Sequence, residues 1–454
     1  MLTTLLLVLA ITEVESLKVT ILGAGINGAA CAFFLKEALG DNVTITVMEK
    51  AGEVGGRIQS TVVDGHRVEL GASVWHRVNE YMEHFVERLQ LRTSHPYKDA
   101  KVALYGPDGV VFAEHERFNW LSTVSALWRW GLSPLRAQHA VEDLVSRLVN
   151  IYPLQRKGKY WESGEELLQA VGLLEMTHTT IEEHLKQKGV SERFINELTY
   201  AFGKINYGQD LELSALAGAV AMKGGGDQVF SVDGGNRRIV EGLLAKAKAK
   251  IAVKSFAPEF EELDNLDNCG LTSSVDADVV ILSFPTPKHS KYTAKVTHVS
   301  FVKGRINRHF FGYSSVDVMP SIIIPVKGVE WGLRHLGLLR GSSDVYKIFS
   351  DTKLDPTRLF GEEQPFLNGD VLHTRRWEAY PTLRPRVEGE SHKFRLHGGC
   401  AGKFPRVFHS GALEYAISTM ETQAIAAMNT VNMIVDEFRL NQRSKENVED
   451  RTDL

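Results

Sequence analysis

Hydrophobic and polar positions along the chain fall into two periods. Val19–Leu22, within "VTILGAG", is an apolar, largely β-branched run that stops on glycines and reads as a buried strand. "AACAFFLKEAL" (29–39) continues at helical period, and "VTITVME" (43–49) returns to strand spacing and ends on Glu49. The alternation recurs downstream. In "FSVDGGNRRIVEGLLAKA" (230–247) the pair Gly234-Gly235 opens a helix with Ile239, Leu243 and Leu244 on one face. "DADVVILSFP" (276–285) is an apolar strand broken at Pro285, and "VFHSGALEYAISTMETQAIAAMNTV" (407–431) predicts a short strand, Gly411 and a long helix from about Ser418. Between them, "FNWLSTVSALWRWG" (118–131) spaces Trp120, Val124 and Trp128 for one helix face. There is no internal repeat and no long linker.

Composition narrows the class. A chain of 454 residues predicts two domains of ordinary size, and 43% hydrophobic with 24% charged residues predicts globular order. A net charge of −4, a pI near 6.5 and the lack of a basic run interleaved with aromatics argue against a nucleic-acid partner. "MLTTLLLVLAITEVES" (1–16) has a short apolar core, Leu5–Ile11, with Val14 and Ser16 at −3 and −1 of a cleavage site. It is too short to cross a bilayer and reads as a secretory signal, the first strand following near Lys18. The three cysteines, Cys31, Cys269 and Cys400, make no disulfide framework, and Asn42-Val43-Thr44 is a glycosylation sequon. With no second apolar segment of spanning length and no KDEL-type ending, the expected address is the lysosome or secretion. The sixteen histidines would begin to charge in an acidic lumen.

The glycines after the first strand have the spacing of a dinucleotide cradle, Gly23-x-Gly25-x-x-Gly28. Gly23 makes the tight turn, Gly25 admits a pyrophosphate to the backbone, and Gly28 lets the helix close on the sheet. Glu49, 26 residues after Gly23, stands where a carboxylate accepts from ribose hydroxyls. Directly after it comes "EKAGEVGGR", with Gly55, Gly56 and Arg57 forming a second anion site with a fixed cation, for which a plain nicotinamide domain has no use.

This second stretch resembles the flavoprotein superfamily of amine oxidases and Rab GDP-dissociation inhibitors. The resemblance implies FAD, with Gly71, Ala72 and Ser73 of "VELGASVWH" bringing backbone to the flavin side. It also implies that Gly411 and the start of the last helix, Thr419 and Met420, meet the far edge of the flavin. Where amine oxidases carry Ser-Gly, this chain has Thr422-Gln423. The expected fold is α/β: a discontinuous Rossmann-like FAD domain (17–93, 223–287 and 396–438) with an inserted α+β substrate domain (94–222 and 288–395). A signal (1–16) and a polar tail (439–454) flank them.

The inserts carry a narrower resemblance. "LWRWGLSPLRAQHAVEDLVSRLVNIYP" (127–153) and "GVSERFINELTYAFGKINYGQDLELSALAGAVAM" (189–222) are similar to prenylcysteine oxidases, as are "SVDGGNRR" and "YAISTMETQAIAA". This resemblance implies an FAD-dependent thioether oxidase. It would take farnesyl- or geranylgeranyl-cysteine and molecular oxygen, and yield cysteine, a prenyl aldehyde and hydrogen peroxide. No protein partner is implied, although an amphipathic substrate makes contact with a membrane or lipoprotein surface a further expectation.

Candidate residues follow. His76 ends "GASVWH" and is the candidate for positioning water or handling a proton. Trp128 suits an isoprenoid pocket, and Asn206, Tyr207 and Gln209 form a polar insert at a helix end. Trp377 and Tyr380 in "RRWEAYP" are candidates to face the flavin, Arg375 or Arg376 to meet a carboxylate, and Tyr415 stands near where amine oxidases keep a cage tyrosine. No His/Cys cluster has zinc spacing and no nucleophile elbow is present. Three other readings stay open: a flavin amine oxidase, a non-catalytic prenyl-binding protein like the GDP-dissociation inhibitors, and a prenylcysteine-oxidase-like relative that keeps FAD but takes a different substrate.

Overall fold

The computed structural model describes residues 16–115, 119–225, 228–255, 276–285, 293–314, 318–329, 331–387, 391–397 and 405–452. The apolar leader (1–15), Cys269 and Cys400 lie outside them. Strand β1 (Leu17–Leu22) runs into helix α1 (Ile26–Leu39) and returns as strand β2 (Val43–Glu49). β1 pairs in parallel with β2 on one side and with Val279–Leu282 on the other, Val19 standing opposite both Ile45 and Val279. The sheet extends to Lys250–Val253 beyond β2, and to Arg406–His409 and Arg395–His397 beyond Val279–Leu282. Only its last pairing is antiparallel. β1 is buried on both faces, as a central parallel strand must be.

Helix α1 has no polar face for its first ten residues: Ile26 to Leu35 are all buried. The reason is its position between the sheet and the C-terminal helix Met420–Thr452, against which it packs. Small side chains allow the approach, Ala29, Ala30 and Ala32 on one helix and Ala424, Ala426 and Ala427 on the other being fully buried. Asn27 locks the contact, its amide donating to the carbonyls of Ser410 and Gln423 at 2.9 Å each.

That last helix starts at Met420, two residues later than its hydrophobic period suggests. Thr419 and Thr422 hold the entry reciprocally, each backbone N–H donating to the other's hydroxyl at 3.0 Å, which makes Thr419 the capping residue. At the other end the segment expected as a polar tail continues as helix to Thr452.

The second sheet has seven strands in the order Phe366–Pro381, Ala294–Ile306, Val345–Ser350, Leu333–Leu338, Ile322–Pro325, Val102–Gly106 and Gly109–Ala113. Its strands come from both inserts, joined where Ile322–Pro325 pairs in parallel with Val102–Gly106. The long pair Ala294–Ile306 and Phe366–Pro381 shifts register three times, and such bulges bend a ribbon. Helices of the first insert cover this sheet: Trp130, Ala137, Leu185, Phe194 and Ala217 bury against Leu104, Ile322 and Ile324. Other side chains of the same insert, Leu144, Ile151, Tyr152 and Leu168, join the core around α1. The first insert therefore fastens the two sheets together.

Candidate active site: a glycine cradle facing an apolar wall

The turn after β1 is fixed by backbone bonds. The Gly23 N–H donates to Met48 O at 2.8 Å, and the Gly55 N–H to Ala24 O at 2.8 Å, so both glycine stretches fold onto the ends of β1 and β2. Glu49, 8% exposed, accepts the N–H of Ala24 at one oxygen and of Ala51 at the other, both at 2.8 Å. Gly25 and Gly28 differ in what surrounds them. A β-carbon on Gly28 would stand 2.0 Å from the Gly23 carbonyl oxygen, whereas one on Gly25 would meet nothing within 4 Å. Gly28 therefore serves packing, and Gly25 faces open space.

That space is a cavity of about 830 Å³. On the cradle side it is lined by Gly23, Gly25, Glu49, Gly55, Gly56, Arg57, Gly71 and Ala72, and at the last helix by Thr419, Met420 and Gln423. On the opposite side lie Ile205, Val299, Phe349, Trp377 and Tyr380. The wall is locked to the cradle. The Trp377 indole N–H donates to Leu70 O at 2.9 Å, and Arg57 Nη1 donates to Ala379 O at 2.9 Å while pairing with Glu414 at 2.5 Å. Tyr380 stands edge-on to Tyr207, ring centroids 5.0 Å apart.

Two observations say what the cradle side fits. Gly25 leaves the backbone approachable at the N-terminus of α1, where N–H groups and the helix dipole favour an anion. Gln423 lines the same cavity, is buried, and has an amide nitrogen with no hydrogen-bond partner among the described residues. An orphaned donor of this kind costs stability unless a ligand meets it. The residues present therefore fit a dinucleotide laid from the glycine turn toward the last helix.

Behind the cradle sit two ionisable groups, Lys347 and Glu69. Lys347 is buried and donates to the Ser73 hydroxyl at 3.1 Å, and Ser73 donates in turn to Gly71 O at 2.9 Å. Burial pushes the Lys347 ammonium down to about 8, partly countered by the charge of Glu69. Burial likewise lifts the Glu69 carboxyl, with the Asn236 N–H and Lys347 opposing.

Several residues singled out from the sequence are placed elsewhere. His76 does not line the cavity: it is buried in the strand pair with Val229, and its ring Nδ1 accepts the Val78 N–H at 3.1 Å. Burial, and then the charge of Lys223, hold its ring below the usual range, so it braces a turn as a neutral imidazole. Trp128 is 88% exposed on the outer face of its helix; its neighbour Trp130 turns inward and donates to Glu197 at 2.7 Å. Asn206 donates to Ala221 O at 2.8 Å, tying its helix end to the helix Ala215–Lys223, whereas Gln209 binds both Pro381 O and the Leu383 N–H and so holds the backbone that follows Tyr380. Tyr207 lies one layer behind Tyr380. Gly411 packs against the His409 ring, and Ser73 stands behind Gly71.

Arg375 lies over the Trp377 ring and Arg376 pairs with Glu378, and both side chains are exposed. Tyr415 stacks on His392 and donates to Glu165 at 2.9 Å, away from the cavity. Residues that the sequence did not mark also line the site: Thr297, Arg334 and Phe349 on separate strands, with no local motif around them. Gln423 had a signal, as half of the pair standing where amine oxidases carry Ser-Gly.

The prenylcysteine lyase family profile matches residues 113–265 and 270–449, and an NAD(P)-binding Rossmann-like profile matches residues 21–89. The chain is 28% identical to prenylcysteine oxidase 1 of Homo sapiens over 91% of its length and 87% of that protein. It is 29% identical to farnesylcysteine lyase of Arabidopsis thaliana over 92% of its length and 88% of that protein. Among solved structures, cyclohexylamine oxidase from Brevibacterium oxydans superposes with a TM-score of 0.54 at 15% identity, covering 93% of this chain and 100% of that one, a likeness of fold.

Proposed function

This chain belongs to the prenylcysteine lyase family, and we propose that it is an FAD-dependent oxidase cleaving the thioether of farnesyl- or geranylgeranyl-cysteine. One observation carries the reading: the glycine cradle and an apolar aromatic wall enclose a single continuous cavity. Relatives named prenylcysteine oxidase and farnesylcysteine lyase support it.

When bound, FAD supplies a hydride acceptor that returns to its oxidised form by passing two electrons to oxygen, giving peroxide. The chain's own residues place the substrate. Ile205, Val299, Phe349, Trp377 and Tyr380 offer the apolar surface an isoprenoid chain needs, in a volume typical of ligand pockets. The Arg57 bridge from cradle to Ala379 and Glu414 keeps that wall in register with the cofactor side, and orientation of this kind is worth several kcal/mol. Loss of hydride from the allylic carbon leaves a cation shared with sulfur. Water adds at that carbon and releases a proton. The hemithioacetal then splits into aldehyde and cysteine, so one thioether, one water and one oxygen give aldehyde, thiol and peroxide.

The amine-oxidase alternative loses its aromatic cage, because Tyr415 is committed to His392 and Glu165. A lysosomal or secreted location belongs to the proposal. It is supported by the apolar run Leu5–Ile11 and by a sequon whose Asn42 and Thr44 are both exposed, and a glycosidase-induced mobility shift checks it.

The test of the reaction is anaerobic stopped-flow absorbance with S-farnesylcysteine. Bleaching of the flavin band, then prenyl aldehyde and peroxide on readmitting oxygen, is the expected result. A flavin that stays oxidised with S-farnesylcysteine but is reduced by polyamines or aromatic amines overturns it. A protein that neither retains nor takes up flavin returns the case to a prenyl-binding protein.

A further inference from the structure

Most charged residues around the cavity belong to the cradle, and those with described contacts there are committed. Glu49 holds two backbone N–H groups, and Arg57 is engaged by Ala379 and Glu414. Arg334 differs. It comes from the middle of the substrate-domain sheet, its side chain is 3% exposed, and it lines the cavity beside Ile205, Gly208 and Thr297.

A guanidinium has five N–H donors in a fixed fork. In Arg334, Nε and one Nη2 hydrogen point to Asp351, the other Nη2 hydrogen donates to Val296 O at 2.9 Å, and Nη1 donates to Thr297 Oγ1 at 2.8 Å. Among the described residues, one Nη1 hydrogen remains without a partner. That nitrogen lies directly over the backbone of Gly208, where a β-carbon would come within 1.9 Å of it, so only glycine permits the placement. Asp351 binds the fork at its opposite edge and is itself 46% exposed. Lys204 and Lys295 also act on Asp351, and Asp210 is the second acid acting on Lys204. A buried arginine that lines the cavity, held in place by Asp351, Val296 and Thr297 and with one Nη1 hydrogen uncommitted among the described residues, is suited to a carboxylate oxygen.

Resting on the prenylcysteine reading above, we propose that Arg334 binds the α-carboxylate of the substrate, and that the enzyme therefore selects free amino-acid thioethers over their esters. An anchor there holds the sulfur a few bonds away while the lipid chain lies along Ile205, Phe349, Trp377 and Tyr380.

The test uses the flavin-loaded protein and a substrate mimic that cannot react. S-Dodecyl-L-cysteine has no allylic hydrogen, and calorimetry compares it with its methyl ester. The wild type is expected to bind the acid roughly 10- to 100-fold more tightly than the ester, the scale of one charge-assisted anchor. Arg334→Gln should bring the acid down to the ester's affinity and leave the ester within about twofold, a selectivity that a merely structural arginine would not show. Arg334→Lys, which keeps a cation but loses the fork, should retain only part of the gap, and it decides the matter if the glutamine variant does not fold.

Equal affinity of the wild type for acid and ester, or no binding of either, overturns the proposal. So does an equal loss for both ligands in the variants, or a gap that persists without the arginine. Reduction by S-farnesylcysteine is measured separately. A wild type that shows the arginine-dependent gap but no flavin reduction sinks the oxidase reading and keeps the carboxylate site, whereas reduction without the gap does the reverse.

Discussion

The two sides of the cavity are built on different plans. The cradle is made by a few short consecutive stretches that line the cavity: Gly23–Asn27, Gly55–Arg57, and Gly71 with Ala72. The wall is made by side chains from three strands and one helix end, drawn from residues 205 to 380. A backbone-built site is intolerant of added atoms and indifferent to most side chains around it. A side-chain-built site is the reverse, because each member can be trimmed at a cost limited to its own contacts. The contrast teaches where specificity can change without loss of the cofactor, namely in the wall.

The largest expected effect tests the cradle as packing. Gly28→Val puts carbon where the Gly23 carbonyl oxygen already stands, 2.0 Å from the new β-carbon, and neither backbone segment can yield without moving β1 or α1. The expected cost exceeds about 3 kcal/mol, at the severe end for overpacking. It would be read as loss of soluble, flavin-retaining protein. A variant that folds and keeps flavin would break the distinction between the two sides.

The next effect concerns the scaffold beneath the cradle. Glu421, in the first turn of the last helix, accepts the N–H groups of Tyr81 and Met82 and the Tyr152 hydroxyl, tying that helix to the N-terminus of Glu80–Arg88. Burial lifts its carboxyl to about 7, against the pull of those three donors. The folded protein thus holds this proton more tightly than the unfolded chain does. The contribution is complete below the ordinary carboxyl range and is lost as pH rises through about 7, a change of roughly 3 kcal/mol. Glu421→Gln should remove it. Urea unfolding of both proteins at acidic and mildly alkaline pH should show a stability difference that moves with pH by that amount in favour of the variant, and a constant difference would refute it.

These two cases show why one side was legible in the sequence and the other was not. Gly23, Gly25, Gly28 and Glu49 carry their spacing within one βαβ unit, so the motif and the geometry are the same fact. Trp377 and Tyr380 were found because an aromatic pair in a short run stands out, although Tyr380 owes its setting to Tyr207 and to the backbone held by Gln209. Arg334 had no local mark, since its meaning comes from Asp351, Thr297 and Gly208, which only the fold brings together. His76 and Trp128 failed for a related reason. Residue type suggested chemistry, but strand pairing turned the histidine into a turn, and helix phase gave the inward position to Trp130.

A smaller effect sharpens the split between packing and binding within the cradle itself. A β-carbon at Gly25 meets no protein atom within 4 Å, so Gly25→Ala should leave the melting temperature of the flavin-free protein nearly unchanged. The added methyl instead intrudes on the space a pyrophosphate needs against the helix N-terminus. Flavin affinity should fall about 10- to 100-fold, or about 1.4 to 2.8 kcal/mol, in a fluorescence titration. If stability falls as it does for Gly28→Val while affinity holds, the assignment of roles to the two glycines is reversed.

The smallest effect is at Trp128. With 88% of it exposed and Val124, Leu127, Leu132 and Leu135 also largely exposed nearby, its indole contributes little to the core. Trp128→Ser should shift stability by no more than about 0.5 kcal/mol, as for surface substitutions away from special features. Because the wall of the cavity is formed by Trp377 and Tyr380, kcat and KM for S-farnesylcysteine presented below its aggregation limit should not move, whereas Trp377→Ala should raise KM through lost apolar contact. A Trp128 variant with the KM of the Trp377 variant would mean that the isoprenoid reaches the helix Asn119–Trp130, and that the wall extends beyond the cavity described here.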